Sequence, residues 1–418
     1  MNIKLNTKTN NVKEIIETIA DCLSEETINQ IAKETGASDE RIRNLPIYPF
    51  TILMILGSNL GKELSLGNLV LKAIEWELIN SETISNERIS QQVAERGSKY
   101  FKKLFEHLLD VALSLPRRAR RKILLHFKKV NILDSSVLNI TKKLIKTYPG
   151  RRGKAAIKIH VRYNYGQGVP EKVKISNGKD HDNPHAPYEE EETGNILNIM
   201  DRGYNDYQQF KELIQRGDHF VVRRKRNAVC RVLYDLELNQ ECKRNVFLEQ
   251  MEQKTIGEQD LLVMLEEGVV LRLIKYFDKD AKEYYYYFTS LIDANLWTKQ
   301  DIRDIYRFRW QIEIFFRDIK YVLGNVKIIF KEKDRIHAQI YIALCFYLFI
   351  RIFMLIVAHK QNKELISYSV KYCAKWIRLL TIQWFKKFKV DKSHDSKLLV
   401  EEIISIIMKK GLTHVRNR

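Results

Sequence analysis

The chain has 418 residues, 45% of them hydrophobic and 29% charged, an ordinary composition for a folded protein with room for about two or three domains. Lys and Arg number 71 against 52 Asp and Glu, a formal charge of +19, so the expected partner is a polyanion, with nucleic acid preferred over an anionic membrane surface. Five scattered cysteines with no CxxC support neither a disulfide scaffold nor a cysteine-rich zinc site, and the opening MNIKLNTKTNNVKEIIE lacks the apolar run of a signal peptide. A cytoplasmic protein is expected.

Residues 12–125 read as helices. SEETINQIAKETGASDERIRNLP suggests two short helices turning at Gly36-Ala37-Ser38, with Ile28, Ile31 and Ile42 facing a core. A helix-turn-helix over Glu26–Leu45, with Arg41 and Arg43 reaching DNA, and an ordinary helical hairpin both satisfy this pattern. Pro46 and Pro49 then predict a break before an apolar helix over about Thr51–Leu60. Another helix is expected from Glu87 to Leu113, followed by the basic cluster Arg117–Lys122.

The texture changes after Phe127. Val130-Asn131-Ile132-Leu133-Asp134 reads as a buried strand with its acid at the tip. Runs at Ala155–Tyr163 and Val169–Ser176, joined by NYGQG, predict a hairpin. NILNIM, residues 195–200, again stops at an acid, Asp201. A helical segment and a strand at His219–Arg223 follow, then β-like runs at Val229–Tyr234, Leu261–Met264, Val269–Tyr276 and Tyr284–Leu291. From Thr298 the chain reads as helix. Ala338–Ala358 is long and apolar enough to span a bilayer, but Gln339 and the internal Arg351 favour a helix buried in the protein.

Asp301–Leu323 reads DIRDIYRFRWQIEIFFRDIKYVL. At about 100° per residue, Phe308, Ile312, Phe315, Phe316, Ile319 and Leu323 form one apolar stripe. Tyr306, Arg309, Glu313 and Lys320 gather in a narrow sector beside it. On pattern alone, that sector is either a functional face or a solvated one decorated by an i,i+4 ion pair. His181, Asp182 and His185 have no third or fourth ligand in register and read as a loop rather than a zinc site.

The spacing Tyr306-x2-Arg309-x3-Glu313-x6-Lys320 is similar to the YREK signature of bacterial insertion-sequence transposases of the DDE class, the insertion-sequence family four type. Asp134 in LDSSVL, Asp201 in DRGY and the β section between the second and third acids extend the resemblance over roughly Asn131–Ile350. One departure is Ser135-Ser136 after the first acid, where relatives often have Gly or Ser and then Thr. The resemblance implies an α/β fold: a ribonuclease H-like core interrupted by a β-rich insertion, with an N-terminal helical DNA-binding region and C-terminal helices. Its expected boundaries are 1–126 for the helical region, 127–223 and 298–358 for the core, 224–297 for the insertion and 359–418 for a C-terminal region suited to dimerisation.

It further implies that Asp134, Asp201 and Glu313 are catalytic and hold two Mg²⁺ ions, with Mn²⁺ as a substitute, because hard cations take oxygen donors. Tyr306, Arg309 and Lys320 would bind DNA phosphates. The reaction would be cleavage at terminal inverted repeats and transfer of the 3′-OH ends into target DNA, by a homodimer on double-stranded DNA in the prokaryotic nucleoid. A catalytically silent DNA-binding derivative is the alternative. Arg151, Arg152 and Lys154 are either DNA contacts or solvated loop residues. Tyr286, in the run Tyr284–Tyr287, is either a base-stacking aromatic or ordinary β packing.

Overall fold

The computed structural model describes residues 12–412 apart from 40–43, 80–82, 117–120, 189–190, 226, 243–246, 248–256, 323–327 and 391–395. Helices α1 (Val12–Cys22), α2 (Glu25–Thr35), α3 (Ile47–Gly57), α4 (Leu66–Glu75) and α5 (Asn86–Ser114) come first. Ser24 caps α2 by accepting from Thr27 N at 3.2 Å, and Gly36, at φ 73°, ends it in the left-handed conformation that a residue without Cβ adopts readily. The chain then runs non-helically through residues 37–39, and Arg41 and Arg43 lie outside the described residues. The next helix, α3, is buried at ten of its eleven positions and so has no face to offer a DNA groove. It also starts four residues earlier than the prolines suggest. Pro46 is its N-cap and Pro49 lies in its first turn, where a missing N–H costs nothing. Arg117–Arg120 of the basic cluster also lie outside the described residues.

Ten strands make one sheet in the order β3-β2-β1-β4-β5-β10-β9-β8-β6-β7. They are β1 (Lys129–Asn139), β2 (Ala156–Asn164), β3 (Val169–Asn177), β4 (Ile196–Met200), β5 (His219–Arg223), β6 (Cys230–Asp235), β7 (Gln240–Glu241), β8 (Gln259–Leu265), β9 (Val270–Asp278) and β10 (Glu283–Thr289), with α6 (Tyr207–Gln215) crossing from β4 to β5. Strands β1, β4 and β5 run parallel, and β1-β2-β3 is an antiparallel meander. The β-rich residues after β5 do not form a separate sheet: β10 pairs antiparallel with β5 and extends the same one.

Helices α7 (Lys299–Arg307), α8 (Trp310–Val322), α9 (Lys333–Gln361), α10 (Val370–Val390) and α11 (Ser396–Lys410) close the chain. Every residue of α9 from Ala338 to Ala358 is buried, and the helix packs on α5, α3 and α11. The apolar stretch is therefore the central core helix, and its apolar circumference reflects burial on all sides. Gln339 is satisfied there by accepting from Ile329 N at 3.0 Å. One hydrophobic cluster runs from Ile15 in α1 through β1 and β2 to Ile407 in α11, so the N-terminal and C-terminal helices share a core with the sheet.

On the far side of the sheet, Arg272 of β9 is fully buried. It donates from Nε and Nη2 to the two carboxylate oxygens of Asp260 at 2.7 and 2.6 Å, and from Nη1 to Trp297 O at 2.6 Å. The pair pins β8 and β9 to the segment leading into α7. Arg272→Met leaves Asp260 buried without a counter-charge and is expected to cost about 3–5 kcal/mol in denaturant unfolding. Adding Asp260→Leu is expected to recover most of that loss, and a single variant as stable as the parent would refute this role.

Candidate active site

The site begins with the register of two parallel strands. Val130, Ile132 and Leu133 of β1 and Ile196, Leu197, Ile199 and Met200 of β4 are all buried, as strands covered on both faces must be. Leu133 pairs with Met200 as the last parallel pair, so Asp134 and Asp201 follow side by side. Asp134 is not at a strand tip as the sequence suggests. β1 continues to Asn139 because Ser135-Ser136-Val137-Leu138 keep pairing with β2 after β4 has ended. Asp134 accepts from its neighbour Ser135 N at 2.8 Å.

The third acid comes from α8. Thr298 and Asp301 form a reciprocal capping box that starts α7. The continuous helix expected over Asp301–Leu323 is instead two helices. At Phe308 and Arg309 the ladder tightens to i→i+3 bonds, Arg309 N to Tyr306 O at 3.0 Å and Ile312 N to Arg309 O at 3.1 Å. No proline or glycine sits there. Tertiary demands set the step: Phe308 packs on Tyr165, ring centroids 5.2 Å apart, while Arg309 reaches β1. Beyond the step, Ile312, Phe315, Phe316, Ile319 and Val322 are buried and hold Glu313 on the flank. Leu323 lies outside the described residues.

Arg309 joins the two ends of this arrangement. Its Nη1 donates to Asp134 Oδ2 at 2.8 Å, and its Nη2 donates to Glu313 Oε1. Its centre also lies 5.7 Å from the ring of Tyr306, which packs on Tyr287 at 4.7 Å. Burial pushes the Asp134 carboxyl up to about 7, opposed by Arg309 and the Ser135 N–H and reinforced by the charges of Asp201 and Glu313. Burial also works against the Arg309 charge, but Tyr306, Asp134, Glu313 and Asp201 outweigh it and hold the guanidinium above its ordinary value. The Tyr306 phenol is raised chiefly by burial, with Asp201 adding to the effect. Lys320, half-buried two turns beyond Glu313, makes no ion pair with another described residue.

A loop dismissed from the sequence adds to the site. Asp182 Oδ1 accepts from Ser135 Oγ at 2.6 Å and from Lys158 Nζ at 3.2 Å. A Cβ on Gly203, two residues after Asp201, would lie only 2.9 Å from Asp182 Oδ2. Behind it His160 is buried, stacks on His185 at 5.1 Å and shares a hydrogen bond with Ser176 Oγ at 2.8 Å. Burial drives its pKa down to about 4, leaving the ring neutral at pH 7. Residues 180–186 are thus a loop, as expected, but one docked between the first two acids. The sequence carried no spacing signal for it. Trp310, which follows Arg309 in the sequence, is 60% exposed.

Arg151, Arg152 and Lys154 are exposed in the turn between β1 and β2, with Arg152 at φ 54°. Tyr286 has the Arg224 guanidinium 5.1 Å from its ring centre, and Tyr285 has Arg223 at 4.2 Å.

Among the described residues no three His, Cys, Asp or Glu side chains are already closed around a cation position. The donor set at Asp134, Asp201 and Glu313 nevertheless fits a hard divalent ion. It is all carboxylate oxygen, and burial, with the charges of Asp201 and Glu313 adding to it, raises Asp134.

The architecture is thus a large mixed sheet carrying two acids on adjacent parallel strands, with a third on a following helix. The transposase DDE domain pattern matches residues 125–349, more than half of the chain, and the chain belongs to that family. It is 26% identical over 224 residues to a putative transposase for insertion sequence element IS4SA from Synechocystis sp. (strain ATCC 27184 / PCC 6803 / Kazusa), covering 53% of this chain and 60% of that protein, under two thirds of its length. It is 23% identical over 342 residues to the transposase for insertion sequence element IS231F of Bacillus thuringiensis subsp. israelensis, covering 70% of this chain and 71% of that one. Its fold is similar to that of piggyBac transposase in a synaptic complex with hairpin DNA, with a TM-score of 0.51, 12% identity, and coverage of 97% of this chain and 86% of that chain.

The raised Asp134 carboxyl has a consequence for stability. Its folded value of about 7 lies above that of the unfolded chain, so the folded state binds the extra proton and stability falls as pH rises from about 4 to about 7. Asp134→Asn removes that penalty. In metal-free thermal melts its Tm, relative to the parent, is expected to be higher at pH 8 than at pH 4.5. A difference independent of pH would contradict the burial of the Asp134 carboxyl.

Proposed function

We propose that the chain is an insertion-sequence transposase that cleaves DNA at terminal inverted repeats and joins the freed 3′-OH ends to target DNA, with Asp134, Asp201 and Glu313 as its catalytic residues. The observation that carries this reading is the bridge from Arg309 to both Asp134 and Glu313, with Asp201 beside Asp134. We read β1–β5 with α6–α9 as the ribonuclease H-like core (residues 127–223 and 298–358). Residues 224–297 are its β-rich insertion, 1–126 a DNA-binding region and 359–418 a region for dimerisation in the end-joined complex, on double-stranded DNA in the nucleoid.

In the hydrolytic step a water oxygen forms a bond to the scissile phosphorus as the 3′ oxygen leaves and takes a proton. In strand transfer that 3′-OH forms the new bond to a target phosphorus, and the target's own 3′ oxygen departs. Two Mg²⁺ ions, or Mn²⁺ in their place, held by Asp134, Asp201 and Glu313 supply charge neutralisation at the phosphate and a lowered pKa for water. Arg309 positions Asp134 and Glu313 through a planar two-pronged contact that Lys cannot reproduce. Lys320 and the Tyr306 hydroxyl hold flanking phosphates, Lys as a point charge.

The test is cleavage of a labelled duplex carrying the inverted repeats that flank the coding sequence, with Mg²⁺. Glu313→Ala is expected to bind that DNA like the parent but to cleave more than about 100-fold more slowly, beyond the 10–100-fold typical of residues that only support ligands. Arg309→Lys is expected to be impaired without rescue. Equal cleavage by parent and Glu313→Ala would place the active site elsewhere. Equal inactivity with intact binding would favour the silent DNA-binding derivative.

A further inference from the structure

The charge that interrupts the core helix has no partner in the catalytic arrangement. Arg351 of α9 is only 7% exposed, and its Nε has no hydrogen-bond partner. No carboxylate lies within ion-pair distance of it among the described residues, although Asp318 of α8 is near enough to be felt electrostatically and is itself engaged by Arg317 at 3.6 Å. Room for the guanidinium exists because Gly168, in the turn between β2 and β3, has no side chain. A Cβ there would sit 2.2 Å from Arg351 Nη2. A buried guanidinium stays charged, and leaving it without an anion costs several kcal/mol.

Arg351 lines a cavity of about 470 Å³, together with Tyr163, Tyr347 and Tyr321, with Arg317 and Lys371 also on its wall. That volume falls within the range of small-ligand pockets, about 300–1,000 Å³. Three cations face one acid here, and tyrosine rings supply flat faces and hydroxyls. Lys371 Nζ lies 5.9 Å from the ring of Tyr321, and Arg317 is 71% exposed. The cavity is also tied to the active site through α8. Arg317 follows Glu313 by four residues, one helical turn, so the two share a face.

We propose that this cavity is a second phosphate subsite, which takes a backbone phosphate of the bound DNA strand several nucleotides from the cleaved one. The inference rests on the DNA-strand reading above. The strand crosses α8 between Glu313 and Arg317, and Arg351 receives the phosphate as a two-pronged donor. A free phosphate ion would satisfy the same chemistry, and the experiment separates the two sources.

Phosphate-ethylation interference on the inverted-repeat duplex, read on bound DNA without divalent metal, tests the subsite. The parent and Glu313→Ala are expected to show an interfering phosphate outside the scissile position. In Arg351→Gln that phosphate is expected to stop interfering while the remaining pattern stays. The rim variant Arg317→Glu/Lys371→Glu covers the case in which Arg351→Gln does not fold. It is expected to lose the same phosphate and to flatten the dependence of log K on log salt by about one or more units, roughly 0.9 per lost contact. An interference pattern identical in parent, Arg351→Gln and the rim variant would overturn the proposal. So would an unchanged pattern accompanied by calorimetric binding of inorganic phosphate that Arg351→Gln abolishes, which would make the cavity a free-anion site. If the duplex is bound with this pattern but never cleaved, the catalytic reading fails and the subsite stands.

Discussion

Three carboxylates drawn together in a half-buried place repel one another, and the guanidinium of Arg309 is what this chain sets against that repulsion. It contacts Asp134 and Glu313 directly, and its charge is felt by Asp134 more strongly than those of Asp201 and Glu313. The position of Arg309 follows from the step between α7 and α8. There i→i+3 bonds replace a regular helix, so that Phe308 packs against the core while the next side chain reaches the sheet. A regular helix through these residues would present Arg309 at a different height over β1. The interaction therefore couples the sheet register to the helical hairpin, and both ends must be in place for the acids to cluster.

The rest of the fold serves that coupling by making both ends rigid. Strand β1 is held by β4 on one side and β2 on the other, and α8 is held by its five buried apolar residues and by the helices behind them. Helix α9 packs directly on α8 and on the kinked α5, whose Ser98 N donates to Asp334 Oδ2 at 3.0 Å at the start of α9. The β-rich segment after β5 contributes from the opposite direction. Arg272 and Asp260 secure it to the entrance of α7, and Tyr287 of β10 packs on Tyr306. It is thus mechanically part of the site, not an appendage to a finished core.

Polar groups buried around the acids deepen this picture. Asp182 brings a loop from between β3 and β4 against Ser135 and the turn after Asp201, and Lys158 balances its charge. Asp182 thus touches the residue after Asp134 and lies against the turn that follows Asp201. Arg351 is a different case, since it is buried among tyrosines with open volume before it and its nearest acid already engaged.

Local pattern was enough for much of this molecule. The strands at Ala156–Asn164, Ile196–Met200 and His219–Arg223, the buried helix over Ala338–Ala358 and the grouping of Arg309 with Glu313 all follow from hydrophobic period and residue spacing. Those quantities are short-range, and the backbone obeys them wherever packing agrees. Spacing cannot show how far β1 runs past Asp134, because that depends on β2 pairing beyond the end of β4. Nor can it show the break at Phe308–Arg309, which no proline or glycine marks, or the start of α3 before Pro49. The docking of Asp182 and the single ten-stranded sheet were equally invisible, since each joins residues tens of positions apart. Contacts of that kind are chosen by the energy of the whole packed core, and only the tertiary structure decides them.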